Sequence, residues 1–261
     1  MKMIRTILLS VMVLCGVGSA AADEELITEQ ITINVDKPGT LPNMIGESKR
    51  NIVTNLKLTG KLNGSDIELI REMAGGSPDD GKSKGKLSTL DLSEAVIVEG
   101  GTYFYYDENM RKSAGVYSWN NVVGAYMFYG CKSLEKIYLP ETAVEIREYA
   151  FAGCPALNEV VFGNNLKSIG KKTFSGCVSL SSVVLTKNLE NIGDCAFEEC
   201  GRLTAIRSNV NRPPLLGNTV FLGCDRKSCR LTVPHETRGA YWLSAWGDFF
   251  MDIKEMGEVK K

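Results

Sequence analysis

The sequence predicts a solenoid: short parallel strands stacked by repetition around one continuous core, mainly β, with a cap at each end. Three observations carry this. Phe128, Phe151, Phe174, Phe197 and Phe221 recur in steps of 23, 23, 23 and 24 residues. Cys131, Cys154, Cys177, Cys200 and Cys224 recur in the same steps, and Val123, Ile146, Ile169, Ile192 and Leu216 stand five before each Phe. Between these columns "LEKIYLP", "LNEVVF", "LSSVVL" and "LTAIRS" alternate apolar and polar residues and favour β-branched ones, which is the pattern of strands. One such unit cannot bury its own apolar face, whereas units stacked in register can.

Taken in order, "MKMIRTILLSVMVLCGVGSAAADEE" opens the chain with a basic head, an apolar run and small residues before Asp23. That is the pattern of a signal peptide over 1–22. Its apolar run is shorter than the ~20 residues that span a bilayer. The expected location is therefore outside the cytoplasm: periplasm, outer surface or secreted. Cys15 sits in the zone of a lipoprotein cysteine, but Leu14 stands where that signal needs a small residue. Cleavage removes two cations and no acids, moving the formal net charge from −1 to −3. Such a balance argues against nucleic acid as a partner, and no later stretch is apolar enough to span a membrane.

Residues 23–86 read as an N-terminal cap. "LITEQITINV" is a strand, and "NLKLTG" and, further on, "TLDLSE" share the strand register of the repeats. "SDIELIREM" is a helix with Ser65 or Asp66 as N-cap, Ile67, Ile70 and Met73 on one face, and Gly75 and Gly76 at its end. Residues 87–210 hold the repeats, interrupted by the aromatic insertion 99–121. Within each unit a strand, a turn, a second short extended piece such as "LKSIG" and a tight turn such as "KKTFSGC" follow one another. Residues 211–261 hold a last partial repeat and a cap, in which Tyr241, Trp242, Trp246, Phe249 and Phe250 are expected to cover the exposed end of the core.

The pattern "IG..AF.GC.SL..I.LP" resembles the BspA-like leucine-rich repeats of bacterial surface and secreted proteins. The segments 51–76 and 87–106 are similar to the N-terminal part of such proteins, and 231–256 to their closing segment. The resemblance implies a leucine-rich-repeat solenoid, right-handed and horseshoe-like, with a parallel concave sheet and short helical turns. It implies adhesion or protein recognition, with no active site and no cofactor. The chain departs from the family in having few full repeats and no downstream surface-anchoring domain.

Two motifs invite catalysis. "GSPDDGKS" (76–83) fits the phosphate-loop pattern letter for letter, but a helix precedes it and a strand follows it, the reverse of what phosphate binding needs. "GKSKG" (81–85) fits G-x-S-x-G without the strand-to-helix elbow, and the single histidine, His235, lies far along the chain. No catalytic or metal residue is assigned: the cysteine spacing lacks the close ligand pairs of a zinc site. The cysteine column reads instead as buried thiols acting as small hydrophobes. Cys195 lies outside the column and is expected at the surface, and Cys224 with Cys229 is the candidate disulfide.

Recognition has two candidate sites. Alternate strand residues face away from the core, which gives an outward row of Lys57, Asp91, Tyr138, Val161, Val184 and Arg207. Beside it runs Asn55, Thr89, Lys136, Glu159, Ser182 and Ala205. An apolar centre with a charged rim suits a protein interface, and equally suits plain cross-strand pairing. The insertion offers Tyr103, Tyr105, Tyr106, Tyr117 and Trp119, either as an aromatic contact for a glycan or protein or as packing on the first repeat. The expected activity is non-catalytic binding of a protein or surface polymer. The competing reading is a glycan-binding accessory protein or carbohydrate-active enzyme that uses the insertion.

Overall fold

The computed structural model describes residues 25–76, 83–105 and 116–257. The proposed leader, Tyr106 and nearly all of the phosphate-loop-like segment lie outside the described residues.

The N-terminal cap comprises β1 (Ile31–Val35), the single-turn helices α1 (Leu41–Met44) and α2 (Glu47–Arg50), β2 (Asn55–Leu62) and α3 (Gly64–Met73). The N-cap of α3 is Asn63, not Ser65 or Asp66. The Asn63 side chain accepts from the Ser65 N–H at 3.1 Å, and Asp66 accepts from the Asn63 N–H at 2.9 Å. Asp66 is fully buried and also accepts from the N–H groups of Gly39 (2.7 Å) and Leu41 (2.9 Å), so one carboxylate ties the approach to α1 onto α3. Ile67, Ile70 and Met73 are buried, as their spacing predicts, and Gly75 ends the helix at φ +80°. Buried Arg71 donates to the carbonyls of Tyr126 (2.7 Å) and Met127 (3.0 Å), fastening the cap to the first repeat.

After β3 (Thr89–Asp91) and β4 (Ala95–Ile97), the insertion forms an antiparallel hairpin of β5 (Gly100–Tyr105) and β6 (Val116–Ser118). The hairpin lies against α3 so closely that a side chain at Gly64 would run into the Thr102 carbonyl. The repeats then alternate between two sheets: β7 (Val122–Val123), β8 (Lys136–Tyr138), β9 (Glu145–Ile146), β10 (Glu159–Val161), β11 (Ser168–Ile169), β12 (Ser182–Leu185), β13 (Asn191–Ile192), β14 (Ala205–Ser208) and β15 (Leu215–Leu216). The C-terminal cap is β16 (Arg230–Val233), α4 (Arg238–Trp242), α5 (Ala245–Phe249) and β17 (Ile253–Glu255).

The back sheet, β7-β9-β11-β13-β15, is a continuous parallel ladder. The front is parallel too, but it divides into β1-β2-β3-β8-β10 and β12-β14-β16-β17, with no pairing between β10 and β12. The residue two past each strand centre explains the break. It is Leu92, Leu139 and Leu185 in three units but Phe162 at the break, buried with its ring 6.0 Å from Phe174 and tilted by 58°. A ring needs more room beneath the sheet than leucine does, and the strands part above it.

The phenylalanine column forms the spine. Successive ring centroids are 5.1, 5.3, 5.3 and 5.7 Å apart from Phe128 to Phe221, with planes within 15° of parallel. These are offset-stacked pairs buried from water. At the C-terminal end Trp246, Phe249 and Phe250 gather around Phe221. Tyr241, Trp246 and Phe250 are fully buried, the Trp246 indole donating to the Pro214 carbonyl at 2.8 Å, whereas Trp242 is 54% exposed. Each repeat also turns through a left-handed residue that is not glycine: Tyr126, Tyr149, Lys172, Cys195 and Thr219 have φ of 57°, 57°, 52°, 54° and 49°. Among the described residues no helix is long and apolar enough to cross a membrane.

Candidate recognition surface

The front strands place the two outward rows in the register the alternation predicts. Asn55 pairs with Thr89, Thr89 with Lys136 and Lys136 with Glu159, while Lys57 meets Asp91, Asp91 meets Tyr138 and Tyr138 meets Val161. Ser182–Ala205 and Val184–Arg207 continue the rows beyond the break, and Arg230, Thr232 and Lys254 extend them into the cap. The expected unbroken row from Lys57 to Arg207 is thus two rows, separated between Val161 and Val184.

Charge stands at the ends of the first row and in the middle of the second. Lys57 reaches Glu94 at 2.6 Å and Asp91 at 3.6 Å. The hydrogen bond to Glu94 raises the Lys57 pKa. Burial alone would raise the Asp91 carboxyl, but hydrogen bonds from Ser93 and the charge of Lys57 outweigh it and hold it below its ordinary value. Lys136 joins Glu159 at 2.8 Å and lies 4.8 Å from the Tyr138 ring centroid. At the centre Val161 and Val184, on either side of the break, are 38% and 47% exposed.

The insertion is split between the two readings. Phe104 and Tyr105 are buried. Tyr105 stacks on Tyr126 (4.8 Å, 2°), and Tyr126 stacks on Tyr149 (5.0 Å, 6°), with the Arg71 guanidinium 5.2 Å from the Tyr105 centroid. Tyr103, Tyr117 and Trp119 are about half exposed, with Tyr103 edge-on to Tyr117 and Arg147 over Trp119.

The cysteine column is buried at Cys131, Cys154, Cys177 and Cys200 and partly buried at Cys224. Its role is more polar than a small hydrophobe's. Cys154, Cys177, Cys200 and Cys224 each donate from Sγ to the carbonyl of the phenylalanine one repeat earlier: Phe128 (2.9 Å), Phe151, Phe174 and Phe197 (3.2 Å each). Burial pushes the Cys177 thiol up to about 12 and that of Cys224 to about 11. The expected Cys224–Cys229 bridge is not formed: both are free thiols, and the Cys224 sulfur is engaged by Phe197. Cys195 is half-buried, 3.1 Å from the Thr219 hydroxyl. His235 is exposed, with its Nδ1 3.9 Å from the Glu236 carboxylate.

Solved structures of leucine-rich repeat proteins align with parts of this chain. A leucine-rich repeat protein from Bacteroides ovatus aligns at TM-score 0.44 with 20% identity, covering 86% of this chain and 42% of its own. The T. pallidum leucine rich repeat protein TpLRR aligns at 0.45 with 23% identity over 66% of this chain and 71% of its own. The pneumococcal vaccine antigen PcpA aligns at 0.43 with 15% identity over 79% and 68%. The chain therefore spans less than half the length of the B. ovatus protein. No curated protein matches by sequence. The family model for the BspA type leucine rich repeat region matches residues 86–237 in six copies, more than half of the chain. These repeats make the protein a member of the BspA-type leucine-rich repeat family.

Proposed function

We propose that this protein is an exported, non-catalytic binding protein whose front sheet recognises a protein partner. The observation that supports this is the exposed pair Val161 and Val184 at the centre of the row that has Lys57 and Asp91 at one end and Arg207 at the other. Apolar centre and polar rim are the anatomy of a protein interface, and Tyr138 beside the pair is of the type that dominates binding energy. Export rests on the leader-like residues 1–22.

The test is crosslinking in the native envelope to capture the partner, followed by affinity measurement with Tyr138→Ala combined with Val161→Lys. Loss of a central tyrosine contact at about 2 kcal/mol weakens binding roughly thirtyfold. An unchanged affinity assigns recognition to another face. A second reading, glycan contact through Tyr103, Tyr117 and Trp119, is supported by their half exposure. A glycan array probed with the protein and with a variant lacking residues 100–120 separates the two readings.

A further inference from the structure

The loops that lead into the back sheet form a row of their own along one edge of the solenoid. The pairing of β11 with β13 and of β13 with β15 fixes which residues correspond. Glu141, Asn164, Lys187 and Asn211 occupy one position, and Thr142, Asn165, Asn188 and Arg212 the next. In the first rungs this row satisfies itself. Asn164 donates to the Glu141 carboxylate from its backbone N–H (2.9 Å) and its amide (3.2 Å). The Asn165 amide donates to the Glu141 carbonyl (2.7 Å), and the Asn188 amide to the Asn164 carbonyl (2.8 Å).

The pattern then changes. Lys187 stands where Asn164 stood, and Arg212 replaces the asparagine of the two rungs before it. Lys167, Lys187 and Arg212 line one groove of about 660 Å³, with Pro213 and Pro214 as a rigid wall and Asn209 and Asn211 at its side. None of these three cations takes part in an ion pair or side-chain hydrogen bond among the described residues. Glu190 is the single acid of the lining.

The three cations fall on three consecutive rungs, one per rung but at different loop positions: Lys167 one residue before its back strand, Lys187 four before and Arg212 three before. Rungs of a parallel stack are about 4.8 Å apart, close to the advance of one sugar in a 1,4-linked polysaccharide. A polymer with one carboxylate per sugar, lying along a groove that all three flexible side chains line, has one cation within reach per rung, while the asparagine amides and the proline wall suit sugar hydroxyls and ring faces. We propose that this groove binds an acidic polysaccharide of the uronate class along the solenoid axis. The site shares no residue with the front sheet, so its success or failure leaves the protein-binding reading untouched.

The test is calorimetric titration of the purified protein with a linear 1,4-linked hexagalacturonate. Its methyl ester, which keeps the sugar chain without the charge, and an inorganic polyphosphate, which keeps charge without sugar, serve as controls. The expected result is binding of the hexagalacturonate that weakens with added salt, and at least about tenfold weaker binding of the ester and by Lys187→Gln with Arg212→Gln. Lys187→Arg with Arg212→Lys retains the charge and is expected to retain binding, which guards against a folding defect in the neutral variant. The proposal is overturned by no binding, by equal binding of the ester, by polyphosphate binding as tightly, or by a neutral variant that is folded and unaffected.

Discussion

Replacing Phe174 by alanine removes the middle ring of the spine. That ring is fully buried, with Phe151 and Phe197 each 5.3 Å away and within 9° of parallel, and Phe162 tilted against it. Deleting a buried phenylalanine costs about 3–5 kcal/mol. The two parallel partners, at about 0.5–1.5 kcal/mol each, supply roughly 1–3 of that. Domains of this kind have only ~5–15 kcal/mol in total. In a solenoid the loss also falls on the two interfaces that the ring bridges, because each unit touches only its neighbours. One of these is the interface already lacking front pairing between β10 and β12, so without the ring the halves are joined there by the back sheet and by the turn hydrogen bonds, such as Phe151 N–H to the Thr173 carbonyl at 2.8 Å. Urea unfolding followed at Trp246, buried in the C-terminal cap, reports on one half, and hydrogen exchange in α3 reports on the other. The native protein should show one shared transition, and Phe174→Ala two, separated in midpoint. Phe174→Leu, which keeps most of the volume, should lose about 1–2 kcal/mol and keep a single transition. A Phe174→Ala variant that loses less than about 1 kcal/mol and unfolds in one unchanged step refutes the spine as the coupling element.

Two further outcomes follow from the buried polar groups. The Tyr241 hydroxyl lies 2.6 Å from the Ser208 hydroxyl and donates to the Val210 carbonyl at 2.8 Å, so Tyr241→Phe should cost about 1–3 kcal/mol by leaving buried partners unmet. Burial raises the Tyr241 pKa from 10.0 to about 12. Its contribution is therefore complete below pH 10 and lost as pH rises towards 12, where the unfolded chain ionises first. The stability difference between native protein and Tyr241→Phe should shrink over that interval, and a difference constant with pH contradicts the assignment. Native alkylation read by mass should modify half-exposed Cys195 well before Cys131, Cys154, Cys177 and Cys200, with Cys224 and Cys229 both carrying label after denaturation. A Cys224–Cys229 pair that labels only after reduction overturns the free-thiol reading of the cap.

The repeat was legible because burial imposes a column: Phe, Ile and Cys recur where the core demands them, and alternation fixed the outward rows down to the Lys136–Glu159 pair. What sequence columns do not carry is polarity inside the core. The same cysteine spacing fits an inert hydrophobe and a donor to the previous repeat's carbonyl, and only the backbone position of Phe151 relative to Cys177 decides between them. The left-handed turns were hidden for a related reason. Glycine or asparagine is the usual marker of φ near +55°, and here tyrosine, lysine, cysteine and threonine take the position. Tyr126, Tyr149 and Lys172 accept it because their side chains then lie side by side at the edge, the tyrosines stacked and Lys172 3.0 Å from Glu198. The N-cap falls two residues before Ser65 and three before Asp66 because Asn63, Ser65 and Asp66 are all good capping types, and only the bonds from Ser65 N–H to Asn63 and from Asn63 N–H to Asp66 rank them. In the insertion, neighbouring aromatic rings divide between core and solvent, a choice set by the hairpin's position on α3 and the first repeat.

The parted front strands have a mechanical meaning. Curling a stacked sheet more tightly or more openly strains the hydrogen bonds between rungs, and at every other rung of the front face there are such bonds to strain. Between β10 and β12 there are none, while the back ladder and the ring stack run through without interruption. The solenoid is therefore hydrogen-bonded without interruption along its back ladder and left unpaired at one point of its front sheet, with Val161 on one lip and Val184 on the other. Bending there, unlike bending anywhere else along the front, strains no strand-to-strand hydrogen bond.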